Sequence, residues 1–368
     1  MSERFDRILV VKMGDLGDLI LTTPALRALR LARPGATIDL LSPATAAAVV
    51  AGSELVDRHL RLPQAALEAA LRRGPLGLPT LAAFGAALRR RRYDAVVLLQ
   101  HLTTAAGTAK YAALMAASGA RRRFGLDNGR GVFLTDRVAD AGFGARHEAE
   151  YWLRVVARLG ADPRPRPTEL PTSAADHARA QALLAGLPRP IVAIHPGSGP
   201  YSPARRWRAD GFVAVARALA ERRRASLVLV GTELALNAGV AAATGARDLT
   251  GQTSVGQLAA LLGRVDLLVC NDGGVMHAGV AANAPVVAIY GLTHPRAWGP
   301  WYGDPARQAR AEVVGVPLPC RPCLYRGHRL GWRDGCATRD CLALVSPAMV
   351  LAAAARQLDR WRPAIASE

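Results

Sequence analysis

The stretch ILVVKMGDLGDLILTTPALRALR, residues 8–30, limits what this chain can fold into more than any other. Ile8, Leu9, Val10 and Val11 form a short apolar run of the kind that parallel sheets bury on both faces. The turn GDLGD follows, where Gly14 and Gly17 let the chain reverse tightly and come close to a ligand. Leu19, Leu26 and Leu29 then recur at helical spacing, with Pro24 early in the helix where proline is tolerated. Strand, turn and helix in this order predict an α/β chain, with the turn at the carboxyl end of a strand, where such sheets bind ligands. Asp15 and Asp18 sit in that turn. Each is either a helix N-cap, which aspartate makes well, or a carboxylate available for chemistry. The turn is neither GxGxxG nor GxxxxGK[ST], so it carries no dinucleotide or P-loop fingerprint.

The rest of the chain repeats the alternation. Residues 37–41, 94–100 and 121–125 read as strands. Residues 43–50, the alanine-rich stretch up to Ser118, and 147–159 read as helices, the last burying Trp152, Val155, Val156 and Leu159. Four prolines between Gly160 and Pro171 exclude a helix or central strand there and predict a linker. A second α/β half follows, with strands at 191–194, 227–230, 265–270 and 286–289. Ser346 caps a final helix that Pro347 opens. Alternation of this kind implies mainly parallel sheets with right-handed crossovers. The predicted domains are 1–165 and 166–345, followed by a C-terminal helix at 346–368. Two such halves around a linker suggest a cleft between them as the ligand site.

The 368 residues are enough for two such domains. No apolar run reaches the length of a membrane span and MSERFDR lacks the apolar core of a signal peptide, so a cytoplasmic location is expected. The net charge is +18, nearly all of it arginine, since Lys12 and Lys110 are the two lysines. This charge reflects either a GC-rich coding bias or an anionic partner. The arginines come in short scattered groups without interleaved aromatics, so phosphate substrates or an anionic membrane surface are favoured over nucleic acid.

Three motifs in the second half carry chemistry. In HPGSGPYSPARRW, Gly197, Ser198 and Gly199 form a turn able to cradle an anion. Arg205 and Arg206 stand near it, offering the planar fork that suits phosphate, and Trp207 is an apolar anchor. The alternative is a solvated pair of arginines. NDGGVMH places Gly273 and Gly274 at a helix N-terminus, where bare amides and the helix dipole favour phosphate. There Asp272 is a ligand or an N-cap, and His277 a ligand or a core histidine. Finally, Cys320-x2-Cys323-x12-Cys336-x4-Cys341 has spacing compatible with a tetrathiolate metal site, which a reducing compartment favours over disulfides. The alternative is four free thiols, and Cys270 reads as a buried structural residue.

Taken in order, these motifs resemble the ADP-heptose:lipopolysaccharide heptosyltransferases of glycosyltransferase family 9, over nearly the whole chain. Lys12, Gly17, Asp18 and Thr23 to Leu26 are similar to the family's N-terminal signature. HPGSG with ARRW is similar to its phosphate-binding segment, and LTGQTSVGQLAALLGRVDLLVCNDGGVMHAGVAANAPVVAIYGLTHPRAWGP to its donor block. The chain departs from the pattern at Arg205, usually lysine, and at Gly273, usually serine or threonine. The resemblance implies a GT-B architecture: two Rossmann-like domains with parallel sheets facing a central cleft, the acceptor bound by the first and the nucleotide-sugar by the second. It also implies that the last helix packs back on the N-terminal domain.

By the same resemblance the reaction is an inverting transfer of heptose from ADP-heptose, with no catalytic metal. Asp18 is the expected general base. Arg205 and the amides of Gly273 and Gly274 neutralise the leaving phosphate, and Asp272 orients the donor. Lys12, Gly17, Ser198, Arg206 and His277 complete the donor contacts, with Glu233 on the ribose or Asn237 in its place. Zinc or iron is expected at the cysteine cluster in a structural role. The implied acceptor is a lipid-linked or other glycan, reached by peripheral contact with the anionic inner membrane surface, and an oligomer is compatible. A transferase acting on a protein or another surface glycan, a nucleotide-sugar epimerase or hydrolase of the same fold, and a catalytically weakened membrane scaffold stay open as alternatives.

Overall fold

The computed structural model describes residues 4–62 and 78–361. It divides between Pro165 and Arg166 into two units, with Gly327–Arg329 grouped with the first. Residues 161–173, which include most of the proline-rich stretch, carry no helix or strand.

In the first unit, β1 (Arg7–Val11), β2 (Thr37–Ser42), β3 (Arg58–Arg61), β4 (Ala95–Leu98), β5 (Arg122–Asp127) and β6 (Asp136–Ala139) form a sheet in the order β3-β2-β1-β4-β5-β6. Every pairing in it is parallel. The central strands β1 and β4 are continuous apolar runs because both faces are covered. After β1 the chain makes α1 (Leu16–Ile20) and, after a break at Leu21 and Thr22, α2 (Thr23–Ala32), with Pro24 in its first turn. The buried face of α2 packs on the helix Glu148–Ala157.

The second unit repeats the plan with β7 (Ile191–His195), β8 (Ser226–Leu229), β9 (Arg247–Asp248), β10 (Leu267–Asn271), β11 (Val286–Ile289) and β12 (Ala311–Val314). Its order, β12-β11-β10-β7-β8-β9, is the same topology as the first. Strand order therefore reverses between β1 and β4 in one unit and between β7 and β10 in the other. A crevice opens at such a reversal, outside the carboxyl ends of the strands.

The strands of the two six-stranded sheets missing from the pattern reading are β3, β6, β9 and β12. Each is two to four residues long and carries charged residues, as in RHLR and DRVA, because each lies at or beside a sheet edge where one side is open to water.

The final helix, Pro347–Arg360, belongs to the second unit. Its apolar face of Val350, Ala353, Ala354 and Leu358 lies in the core of the second unit with Val287, Ile289 and Leu292. Gln357 Nε2 donates to Ala309 O at 3.1 Å, and Arg223 pairs with Asp359, closing the same side. That face packs on β10, β11, β12 and the helix Ala209–Arg223.

Candidate active site

At the first reversal, β1 runs into Lys12 and the GDLGD turn. Asp15 caps α1, and Asp18, three residues on, reaches back so that its Oδ2 accepts the Asp15 amide at 3.2 Å. Asp18 thus does part of a capping residue's work while its Oδ1 faces Lys12 Nζ at 3.8 Å. Gly14 makes this approach feasible. A Cβ there would lie 2.5 Å from Asp18 Cβ and 2.6 Å from Oδ2. Lys12 is buried, with its ammonium 4.1 Å from the centre of the Trp152 ring.

The Asp18 side chain keeps about a third of its surface open (36%), yet dense protein surrounds it. Desolvation raises its pKa, Lys12 opposes the rise, and the nearby Glu148 and Asp15 add to it. A carboxylate so held is a stronger base than a freely solvated one.

On the other side of the reversal, β4 leads to His101, which the sequence reading passed over. Its Nδ1 lies 2.9 Å from Asp140 Oδ2 and its Nε2 3.0 Å from Glu148 Oε1, all three side chains being buried. Burial works against its charge, but Glu148 and Asp140 together raise His101 to about 9. The positions were discoverable in principle: His101 lies three residues after β4, Asp140 directly follows β6, and Glu148 opens the Glu148–Ala157 helix.

At the second reversal the chain assembles a different chemistry. Asn271, ending β10, donates from Nδ2 to Pro196 O at 2.7 Å and to Gly197 O at 3.1 Å. Its Oδ1 accepts the Trp207 amide at 2.9 Å. This one buried amide, also missed from sequence, fixes the HPGSG turn and the ARRW segment against each other. Trp207 is buried and donates Nε1–H to Val345 O at 3.0 Å, so it is an anchor as expected. Arg205 donates from Nη2 to Ser198 O at 3.0 Å and from Nη1 to Asp272 Oδ2 at 3.3 Å, and the same carboxylate oxygen accepts Thr293 Oγ1 at 2.6 Å. Gly273 caps the helix Gly274–Ala281, which carries the buried His277. Gly273 has extended backbone, and a Cβ on it would meet Ser198 O only at 3.4 Å. The turn therefore has room for the serine or threonine usual in the resembled pattern.

The structure brings Ser198, Arg205, Arg206, Glu233, Asp272, Gly273, Gly274 and His277 into the second unit, and places Lys12 and Gly17 with Asp18 in the first. Within the first unit, Lys12 Nζ is paired with Asp18 Oδ1 at 3.8 Å. Glu233 is engaged at the HPGSG turn. Its Oε1 accepts the amides of Ser198 (3.1 Å) and Gly199 (3.0 Å), its Oε2 accepts that of Thr232 (3.1 Å), and Arg206 lies 3.6 Å away. Burial opposes its ionisation, but His195, these amides and Arg206 lower its pKa. Asn237, the alternative for the ribose, is fully buried and bonds Val230 O and Thr250 Oγ1, a packing role.

The four late cysteines do not form the expected ligand set. Among the described residues no group of three or more histidine, cysteine, aspartate or glutamate side chains converges to hold a metal. Cys341 is turned into the core beside Leu342 and Val345, and Cys323 is half-buried against the same core. Cys320 and Cys336 are exposed, and Cys336 Sγ accepts the Arg339 amide at 3.3 Å. Burial raises the Cys323 and Cys341 thiols, while the Arg339 amide lowers Cys336. Cys341 still lies within electrostatic reach of Cys320, Cys323 and Cys336.

The chain is 26% identical over 303 residues to lipopolysaccharide heptosyltransferase 2 of Escherichia coli K12, covering 78% of this chain and 84% of that protein. It superposes on the structure of the E. coli ADP-heptose LPS heptosyltransferase II with a TM-score of 0.70 at 22% identity, over 96% of this chain and 99% of that one. A glycosyltransferase family 9 structure from Veillonella parvula gives 0.72 at 23% identity, over 98% and 99%. TibC, an iron-containing dodecameric glycosyltransferase of enterotoxigenic E. coli, gives 0.58 at 15% identity, over 97% and 77%. The two parallel sheets are thus those of the GT-B heptosyltransferase architecture. Residues 81–332 match the profile of glycosyltransferase family 9 (heptosyltransferase), and the chain belongs to that family.

Proposed function

We propose that this enzyme transfers heptose from ADP-heptose to an acceptor hydroxyl of the lipopolysaccharide core, with inversion at the anomeric carbon. The observation that carries the reading is Asp18, a carboxylate made basic by its surroundings at the strand reversal of the first unit. As the acceptor oxygen attacks the anomeric carbon, Asp18 takes its proton. The bond to the β-phosphate oxygen breaks, and ADP leaves with the electron pair. Arg205 and the amides at the start of Gly274–Ala281 are suited to the charge that develops there, in the role a metal ion plays in other transferases. Asp272, held by Arg205 and Thr293, orients the donor.

Work at the cytoplasmic face of the inner membrane, with the arginine-rich surface against anionic lipid, agrees with the net charge of +18. Among the described residues no helix is long and apolar enough to cross a membrane. For the cysteines we read a structural role at the edge of the core. A zinc or iron ion there would need Cys320 and Cys336 to close on Cys323 and Cys341.

Mass spectrometry of products from ADP-heptose with lipid-linked, oligosaccharide and protein acceptors tests the function. A heptosylated core acceptor supports it. Heptose on protein alone replaces the acceptor class, and conversion of ADP-heptose without an acceptor refutes the transfer reading.

A further inference from the structure

The buried His101 group is more than a packing feature. Both ring nitrogens point at carboxylate oxygens, at 2.9 Å to Asp140 and 3.0 Å to Glu148. A neutral imidazole donates from one nitrogen only, so two ionised carboxylates require the imidazolium. The two carboxylates are unequal. Asp140 also accepts the Gly142 amide at 2.8 Å, Asn128 Nδ2 at 3.3 Å, and has His328 Nε2 at 3.6 Å. Glu148 accepts from His101 Nε2 and is also coupled electrostatically to Asp18.

Aromatic rings enclose the histidine: Phe143 at 4.4 Å, Tyr151 at 5.1 Å and Trp152 at 5.6 Å between centroids. Trp152 is also the ring that Lys12 covers, so one indole touches the cation beside Asp18 and the cation beside Glu148. A buried ionic group of this kind gives stability little that a well-packed apolar cluster would not. Its position at the carboxyl ends of β4 and β6, against the β1 turn, supplies a different reason for it.

The geometry points to Glu148 and His101 as positioning residues for the transfer step: they are hydrogen-bonded to each other, and His101 shares the Trp152 ring with Lys12, the partner of Asp18. The charge of Glu148 acts on Asp18, and the His101 cation offsets it. Lys12 acts on Asp18 from the other side, in the opposite sense. Asp15 on the turn and Tyr111 on the helix Ala105–Ser118 are the other titratable groups coupled to Asp18. None of these groups exchanges a proton with substrate; they act through Asp18. The inference rests on Asp18 being the base.

The test is the pH profile of kcat/KM for the full chain, with ADP-heptose and the acceptor that the product screen identifies. Glu148→Gln keeps the shape and the acceptor for His101 but removes the charge. The acid limb should move down by about one pH unit, the low end of what a neighbouring charge does to a carboxyl. Plateau turnover should fall several-fold, and ADP affinity should stay the same. His101→Asn removes the cation instead, and the limb should move up. Either variant, shown folded by circular dichroism, decides the question. Reduced turnover with an unmoved limb makes the network a packing feature and overturns the proposal. Asp18→Asn separates the two ideas: near-wild-type turnover in that variant sinks the base itself, whatever Glu148 does.

Discussion

Raising the pH should destabilise this protein through one histidine. His101 stands at about 9 in the folded chain against an ordinary value of 6.5. Each pH unit of such a difference is worth about 1.4 kcal/mol, so the charged imidazole stabilises folding by roughly 3 kcal/mol. The sign follows from the raised value. The contribution is complete below pH 6.5, where the unfolded chain is also protonated, and it disappears as pH climbs through 9. Other groups lose protons in the same direction at higher pH, because burial also raises the Cys270 thiol. The difference between wild type and His101→Asn isolates the histidine. Urea unfolding at half-unit steps from pH 6 to pH 10 should show a gap of about 3 kcal/mol at pH 6 closing toward pH 10. If the variant does not fold, the imidazole NMR shifts of wild type read the same titration directly. A gap that stays constant with pH, or an imidazole that titrates near 6.5, refutes the argument.

Asp18→Asn should cut transfer about a hundredfold to ten-thousandfold with ADP binding retained, by product assay and calorimetry. Because the folded state disfavours the Asp18 anion, the same variant should melt higher than wild type at neutral pH, and a lower melting temperature would contradict the desolvation reading. Arg205→Ala removes charge-assisted bonds worth about 1.5 to 3 kcal/mol, so ADP affinity should fall about tenfold or more; unchanged affinity would reduce Arg205 to a brace between Ser198 and Asp272. Gly14→Ala forces Asp18 out of its place and should lose turnover while ADP binding stays intact. EDTA should leave the rate unchanged, and elemental analysis of the purified chain, with Cys320→Ser as control, reads whether the thiols close on an ion; a need for added Mg²⁺ would end the metal-free mechanism.

The first strand-turn-helix was readable in the residues themselves. Four apolar residues, two glycines and a helical leucine pattern leave little choice but strand, turn and helix, since each is a local preference that the fold also satisfies. The central strands of both sheets were equally plain, because strands covered on both faces are apolar throughout. The motifs HPGSG, ARRW and NDGG announced themselves by position after strands.

What tertiary structure decided lies where partners are distant in sequence. His101, Asp140 and Glu148 stand 39 and 47 residues apart and meet because the strand order places β4 next to β1 and β5, and β6 beyond. Asn271 reaches a turn 74 residues earlier. The short polar edge strands take their geometry from the neighbour they pair with rather than from their own side chains. The final helix has an apolar face that the sequence displays, but a face names no partner, and only the shape of the second core selects it. Cysteine spacing likewise shows which thiols are near one another along the chain, whereas burial and backbone hydrogen bonds set where each sulfur points.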